Sequence, residues 1–479
     1  MRLLAVGATL LAAAVSIAPE SLLMGYLGGS GTDDCDGITV DRAGDIYLGC
    51  HSDSPDFPHL PTKAAPTSNA SMDAVVVKIE ARTGRIVWAT RTGGSDWDAA
   101  GELAVAKDGS VYVLGQTQSP DFPTTPDAVQ RKFAGPRRDV FVLKLDANGK
   151  IVYSTLLGGS KNDEATAFAL ADDGTVYVGG ATWSDDFPGV RGGRFGPGGV
   201  PDGFIAQLRP GDPASLHTVR IGGKGRDPIA SLALDHAGNL FAAGYTNAPD
   251  FPVKNALQPK FGGGDLDAYL TKWRVSDWSL LFSTYLGGTR LDGAGAVAVD
   301  SSGNPVVSGV TASDDFVTTP GAFQTQLRGK YDEFVTKFDR DGGRVLWSTH
   351  YGGSAKSELN YASGGMAIDE NGRVWIDGMT AATDLPTRNA FQPSYGGGDL
   401  DGFLAALSSD GSRLCYGTYI GGKGRDLMEG LVAGKGRVYA SGLAASAGPA
   451  QKGWHVQAGH GGGPFDAIVV GIDITRLPK

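Results

Sequence analysis

The chain has few residues of the kinds that usually carry chemistry. Its 479 residues include only 3 cysteines and 7 histidines. Lys and Arg number 42 against 52 Asp and Glu, which gives a net charge of −10, and no basic stretch stands out. This charge balance argues against a nucleic-acid-binding surface. After residue 18 no apolar run is long enough to cross a bilayer, so we expect no membrane span once the N-terminal segment is removed.

The common catalytic motifs are missing as well. The sequence has no Gly-x-Ser-x-Gly elbow, no phosphate-binding loop, no dinucleotide fingerprint and no His-Glu-x-x-His. These absences exclude enzymes that depend on one local motif. They do not exclude an enzyme whose site is assembled from scattered loop residues.

The N-terminus has the features of a secretory signal. Arg2 precedes an apolar, small-residue-rich segment from Leu3 to Ala18, and cleavage after Ala14, Ser16 or Ala18 fits the usual preference. The alternative is a membrane anchor, for which the run is short. We therefore predict a signal peptide at 1–18, with cleavage between 14 and 18, and one mature domain at 19–479. The protein is then secreted, periplasmic or at the cell surface.

Two of the cysteines flank one short segment, CDGITVDRAGDIYLGC. If this segment is a hairpin that turns at 41–44, Cys35 and Cys50 face each other. A cross-strand disulfide and two buried thiols are both compatible with that geometry. Cys415 lies in an apolar strand and is expected to be a lone core thiol.

A pair of glycines recurs along the chain at a nearly constant interval. The pairs begin at Gly28, Gly93, Gly158, Gly222, Gly287, Gly352 and Gly421, which gives gaps of 65, 65, 64, 65, 65 and 69 residues. A fixed period of this size marks a repeat architecture in which neighbouring units share one core.

Each repeat contains four strand-like segments rich in β-branched and aromatic residues and bounded by Gly, Asp and Asn. Seven such units predict an all-β fold, a seven-bladed β-propeller of four-stranded antiparallel blades. The last repeat lacks its fourth strand, and residues 21–27 supply a matching one at the other end of the chain. We therefore predict that this N-terminal strand completes the last blade and closes the ring. The predicted blades are approximately 28–92, 93–157, 158–221, 222–286, 287–351, 352–420 and 421–476.

The repeat resembles the SBBP family, a seven-bladed β-propeller repeat of bacterial exported and surface proteins. The resemblance rests on FSTYLGG (282–288), AVDSSGN (298–304), DFPTTP (121–126) and TTPGAFQ (318–324). It implies the fold over essentially the whole chain after the signal. It implies little about activity, because propellers carry unrelated functions.

One acidic residue lies five positions after the first glycine of nearly every pair. The set consists of Asp33, Asp98, Asp163, Asp227, Asp292 and Asp426. At the start of the innermost strands these carboxylates can converge on a cation such as calcium, or each can bond its own glycine turn. No other cofactor is predicted.

Departures from the repeat are the better candidates for a site. The sixth repeat has about four extra residues near its turn, which place Glu358, Asn360 and Tyr361 at the channel mouth. Arg226 and Arg425 add cations to two other turns, and Glu102, Glu164 and Glu429 lie near the start of inner strands. Together with the first five repeated aspartates, Asn360, Arg226 and Arg425 are the ligand-binding candidates. The catalytic candidates are Glu358, Tyr361, Asp426 and Glu429.

Four histidines fall in the loops of the first and last repeats, which ring closure makes neighbours. These residues, His51, His59, His455 and His460, are the candidates for a zinc or copper site. Ordinary exposed loop histidines are the alternative.

The favoured function is a binding protein that takes an extracellular protein or glycan through the face with the long loops. It is expected to be a monomer without nucleic-acid partners. The alternatives are a secreted hydrolase or lyase acting on a polysaccharide or small polar substrate at the channel mouth, and a structural or assembly module.

Overall fold

A computed structural model describes residues 22–60, 71–355, 364–445, 456–457 and 459–477. The regular structure in these ranges is β-strand throughout, arranged as seven separate sheets. None of the described residues belongs to a helix with the length and hydropathy needed to cross a bilayer. The predicted all-β class is confirmed.

The first three blades each contain four antiparallel strands in chain order, with one addition in blade three. Strand β1 (Leu22–Leu27) precedes them. Blade one contains β2 (Asp33–Val40), β3 (Ile46–Ser52), β4 (Asp73–Glu80) and β5 (Arg85–Thr92). Blade two contains β6 (Asp98–Val105), β7 (Val111–Thr117), β8 (Asp139–Leu145) and β9 (Ile151–Leu157). Blade three contains β10 (Asp163–Leu170), β11 (Val176–Thr182), β12 (Val190–Phe195), β13 (Asp202–Arg209) and β14 (Asp212–Ile221).

The remaining four blades follow the same order. Blade four contains β15 (Ile229–Leu234), β16 (Asn239–Thr246), β17 (Asp267–Arg274) and β18 (Ser279–Leu286). Blade five contains β19 (Asp292–Val299), β20 (Pro305–Thr311), β21 (Asp332–Phe338) and β22 (Val345–Tyr351). Blade six contains β23 (Met366–Ile368), β24 (Val374–Thr380), β25 (Asp401–Leu407) and β26 (Leu414–Ile420). Blade seven contains β27 (Asp426–Gly434), β28 (Arg437–Ala444) and β29 (Asp466–Asp473).

The ring closes through the N-terminal strand, as predicted. Strand β1 pairs antiparallel with β29 from Leu22↔Ile472 to Leu27↔Ala467 and becomes the outer strand of blade seven. The inner strand of blade one, β2, packs against both β27 and β6. The first strand of each blade therefore lines a central channel, and neither end of the sheet array is left without a neighbour.

The hydrophobic core lies between neighbouring blades rather than inside one of them. One cluster joins blade seven to blade one through Leu27, Ile38, Leu48, Val77 and Val469. Full burial of such side chains contributes about 1.5–3 kcal/mol each. The strands need this stacking because a single blade cannot cover its own apolar faces.

The glycine pairs are required by close packing at the turns that link the blades. A Cβ placed on Gly28 would lie 2.5 Å from a carboxylate oxygen of Asp466, which opens the third strand of blade seven. A Cβ on Gly94 would lie 2.5 Å from Cβ of Ser119 and 2.6 Å from a carboxylate oxygen of Asp121. The glycine pairs thus recur at a constant interval because each blade begins with a turn that has no room for a side chain.

The two faces of the ring differ in their connections. Asp33 pairs with Ser52 at one end of the β2–β3 ladder, so the glycine turn and the long loop after β3 emerge on the same face. We call this the loop-rich face. The opposite face carries tight turns, such as the one at Asp300, whose carboxylate accepts bonds from the backbone N–H groups of Ser302 and Asn304. Gly303 completes that turn with φ of 83°.

Two local departures from the predicted pattern appear. Blade three has a fifth strand, because β12 in its long loop pairs parallel with the outer strand β14. This strand was not predicted, since its glycine-rich segment lacks strand-like composition. The inner strand of blade six, β23, has only three residues.

Candidate functional site in the central channel

The repeated aspartates after the glycine pairs are bound within their own turns. In each case a carboxylate oxygen accepts a hydrogen bond of 2.7–2.9 Å from the backbone N–H of the second glycine. The residues are Asp33, Asp98, Asp163, Asp227, Asp292 and Asp426, and they are 0–3% exposed. These hydrogen bonds are the ones expected if each aspartate bonds its own glycine turn. Calcium binding by the six aspartates stays a prediction.

The Asp-Phe-Pro motifs of the long loops also make packing contacts. Asp121 accepts bonds from the backbone N–H and the hydroxyl of Ser95, just after a glycine pair. Phe122 is buried and stacks on Phe141 with ring centroids 4.6 Å apart. Because the same arrangement recurs in other blades, it fastens each loop to its blade.

A group of residues that breaks the symmetry lies where blade seven meets blade one. Asp34 and Asp36 on β2 and Glu429 on β27 place their carboxylate oxygens within 4.8 Å of one another. His51 is the ladder partner of Asp34, and its ring nitrogens lie 3.9 Å from oxygens of both Asp34 and Asp36. We call these four residues the seam cluster.

The backbone around the seam cluster is held in a defined shape. The pairing of β2 with β3 shifts between Asp34 and Gly37, so that two residues oppose one as in a β-bulge. Cys35, between the two aspartates, forms a disulfide with Cys50, the neighbour of His51. The disulfide alternative for this pair is therefore the one found, and Cys415 is a buried free thiol as expected.

A cavity of about 160 Å³ extends from the seam cluster toward blades two and three. Its lining combines three carboxylates with aromatic and uncharged polar groups. These lining residues include Asp36, Glu102, Glu429, Trp97, Gln116 and Thr166. They come from the innermost two strands of their blades and from a glycine turn, so the cavity occupies the part of the channel next to the loop-rich face.

Trp97 forms one wall of this cavity and is fixed from two sides. The guanidinium of Arg138 lies 4.9 Å from the centroid of the Trp97 ring. The ring of His51 packs edge-on against Trp97, with the two ring centroids 6.1 Å apart. Arg138 also donates to the amide oxygen of Gln116 and lies 3.5 Å from a carboxylate oxygen of Glu164. The aromatic wall is therefore preorganised by a network that spans three blades.

Burial and negative neighbours raise the pKa values of the cavity acids. Burial, with a contribution from Asp36, raises the pKa of Asp34 to about 6. Burial, with contributions from Asp34 and Asp36, raises the pKa of Glu429 to about 9. Glu102 is exposed to the solvent in the channel, and the protein packed around it, together with the charge of Asp36, raises its pKa. Burial beside two other carboxyl groups therefore favours the protonated form of Glu429 over the charged form.

Two more carboxylic acids lie behind the channel wall. Asp377 in blade six is 0% exposed and Glu333 in blade five is 2% exposed. Burial raises both pKa values well above their usual range, and the charges of the two groups interact. Asp377 also interacts with Glu102 and Glu429, so the excess of acids extends around the channel from blade five to blade two.

The structure brings together only some of the candidates chosen from the sequence. Glu429 and His51 belong to the seam cluster, and Glu102 lines the cavity. Arg226 and Arg425 are exposed on the loop-rich face. Glu358, Asn360, Tyr361 and His455 lie outside the described residues.

The other histidines do not join a metal-binding group within the described part of the chain. His59 is exposed in its loop. His460 lies 3.4 Å from a carboxylate oxygen of Asp466 and 6.2 Å from the ring of Tyr26. Within the ranges that the structure describes, the three-carboxylate group of the seam cluster is the set with metal-ligand spacing, and no histidine belongs to it.

Asp34, Asp36 and Trp97 were not singled out from the sequence, although a signal for the two acids existed. In blades one and three, the residue directly after the turn aspartate is also acidic, namely Asp34 and Glu164. The third residue after it is acidic in blades one and seven, as Asp36 and Glu429. A comparison of the blades position by position at the start of the inner strand would have shown this clustering.

The same stretch of chain matches a known family. The family model of the SBBP β-propeller repeat matches residues 26–58, which run from the end of β1 through the glycine turn, β2 and β3 to the first Asp-Phe-Pro motif. This segment of the chain is thus an SBBP β-propeller repeat. The seven-bladed ring agrees with that assignment over the described chain.

Comparison of the chain with known proteins gives one distant relative. It is 24% identical over 368 residues to the regulatory protein FlaEY of Caulobacter vibrioides, a match that covers 71% of this chain and 36% of that protein. The chain thus spans about a third of the length of that relative.

Comparison with solved structures gives matches with low TM-scores. The WD40 domain of Neurospora crassa Pan2 is 9% identical with a TM-score of 0.44, covering 93% of this chain and 90% of that one. A PL25 ulvan lyase is 10% identical with a TM-score of 0.45, covering 92% and 94%. At these values the likeness carries no argument about function.

Proposed function

We propose that this SBBP propeller is an exported binding protein that takes a glycan or protein ligand through its loop-rich face, with the channel-mouth cavity at the centre of the contact. The observation that carries the proposal is the one-sided placement of polar and aromatic groups in an otherwise repetitive ring. Trp97, Gln116 and Glu102 face one cavity, whereas the repeated acids are bound in turns. A site is expected where the scaffold departs from its own symmetry.

The lining of the cavity suits a polyhydroxylated or amino-bearing group. Carboxylates such as Asp36 accept hydrogen bonds from hydroxyl or ammonium donors. The hydroxyl of Thr166 can donate or accept, and Trp97 offers an aromatic wall for an apolar ring face. Long loops around the mouth add contact area for the rest of a larger ligand.

Export is supported by the N-terminal segment 1–18 and by the disulfide between Cys35 and Cys50, since such bonds persist in oxidising compartments. The similarity to a regulatory protein is compatible with a binding role. A binding protein at the cell surface or in the periplasm is the function proposed from these features.

The test is binding of the purified mature chain to glycan and surface-protein arrays, followed by titration of the best hit. Trp97→Ala should weaken the affinity about tenfold or more, because aromatic residues at the centre of a contact often contribute more than ~1 kcal/mol. Trp88→Ala is the matched control, since Trp88 lies on the outer strand β5. Folding of both variants is checked by circular dichroism. Empty arrays, or equal loss of affinity in both variants, would contradict the proposal.

A further inference from the structure

The seam cluster joins two blades through three carboxyl side chains. Asp34 and Asp36 come from the first blade and Glu429 from the last, and their oxygens lie within 4.8 Å of one another. Among the described residues, no lysine or arginine forms an ion pair with any of these three carboxylates. Three carboxylates at this spacing need a positive partner or a proton to coexist.

Several buried polar atoms around the cluster lack a hydrogen-bond partner in the described part of the structure. These atoms are Oδ1 of Asp34, Oε2 of Glu429 and Nδ1 of His51. The same holds for Oδ2 of Asp377, a side chain that is 0% exposed and whose charge acts on Glu429. Buried polar atoms are normally satisfied, so the unsatisfied atoms of Asp34, Glu429 and His51, which lie beside one another on three strands, point to a missing partner.

The donor atoms define the chemical class of that ligand. Three carboxylates offer hard oxygen donors, which suit calcium, magnesium or manganese better than zinc or copper. The nitrogens of His51, at 3.9 Å from the aspartate oxygens, lie beside the oxygen set rather than within it. Such a neighbour can orient the carboxylates, as groups around a metal site commonly do.

The scaffold at this point is built to hold donors in place. Cys35 separates the two aspartates and is bonded to Cys50, next to His51, so three of the four cluster residues flank one disulfide. No other pair of strands among the described blades has this cross-link. The equivalent inner-strand positions of blade two are Ala99 and Gly101, which offer no side-chain donor.

We propose that Asp34, Asp36 and Glu429 bind one hard divalent cation across the seam between the first and last blades. The bound cation offsets two of the three negative charges, links β2 to β27 beside the ring closure, and faces the cavity through Asp36 and Glu429. This inference does not depend on the glycan or protein ligand, because it concerns cation binding by the chain alone.

The experiment is isothermal titration of the metal-stripped mature chain with CaCl₂ and, separately, MnCl₂. One saturable site is expected for at least one of the two ions. Glu429→Gln keeps the side-chain volume and should weaken that affinity at least tenfold. Asp314→Asn is the control and should bind like the wild type, since Asp314 is 82% exposed and distant in sequence.

A second variant keeps the test decisive if Glu429→Gln does not fold. Asp36→Asn changes a side chain that is 45% exposed within the channel and should lose cation affinity to a similar extent. The absence of saturable binding of both ions at millimolar concentration would overturn the proposal. Binding that survives both Glu429→Gln and Asp36→Asn would overturn it equally, and the cluster would then be held by shared protons.

Discussion

Ring closure by β1 can be tested by loosening that strand alone. Leu27 is 0% exposed and packs between blades seven and one, whereas Leu23 on the same strand is half-buried. Replacing a buried leucine by alanine typically costs 2–5 kcal/mol, and about 3 kcal/mol is expected at this site. The change removes methyl groups without altering the ladder between β1 and β29.

The assay is amide hydrogen exchange read by mass spectrometry on peptides from the closing strands. When exchange is limited by the opening equilibrium, about 3 kcal/mol accelerates it by roughly 150-fold. Leu27→Ala should therefore speed exchange in β1 and in residues 467–472, its partners. Blades three to five should exchange as in the wild type.

Leu23→Ala is the matched control and should accelerate the same peptides by less than about tenfold, since less apolar surface is lost. Unchanged exchange in β1 and β29 in the Leu27→Ala variant would refute closure by this strand. Equal acceleration in all blades would refute the idea that β1 opens as a local unit.

Two further predictions concern the turns and the buried acids. Gly94→Ala should lower the free energy of unfolding by about 1–3 kcal/mol, because the added Cβ would meet Ser119 and Asp121. Gly343→Ala should be nearly neutral in the same denaturant titrations, because nothing lies within 4 Å of its added Cβ. Equal effects of the two changes would contradict the packing account of the glycine pairs. Burial raises the pKa of Asp98 and Asp139 to about 6 and that of Asp267 to about 7, so the folded state holds extra protons between about pH 4 and 7. The stability due to these protonated groups is present at low pH and is lost as the pH rises through 6–7. In a buffer without divalent cations, the denaturant midpoint should therefore be higher at pH 5 than at pH 8. The opposite order would contradict this prediction.

The fold was predictable because its determinants are local and repeated. The glycine pairs mark crowded turns, the strand segments alternate as half-buried strands do, and the spare segment before Gly28 matches the strand missing from the last repeat. Strand β12 was not predictable in this way. It pairs only because its glycine-rich loop lies against β14, a contact that no local pattern encodes.

The site was predicted less well because it depends on contacts between distant blades. Glu429 and Asp34 are 395 positions apart in the chain numbering, and only ring closure brings them together. The repeated aspartates drew attention through their number, yet Asp33 and its equivalents bond the glycine turns. Residues that occur in only one repeat, such as Asp36 and Trp97, make this part of the ring different from the rest. In a single sequence, such residues look the same as ordinary variation between repeats.

We propose that the seam cluster, and not the set of repeated turn aspartates, is the functional part of this propeller. It can be tested by anomalous difference maps from crystals of the mature chain soaked separately in MnCl₂ and CaCl₂. With at least one of the two ions, one strong peak is expected among the carboxylates of Asp34, Asp36 and Glu429. Peaks at the glycine turns beside Asp98 or Asp292, or no peak in the channel with either ion, would contradict this expectation.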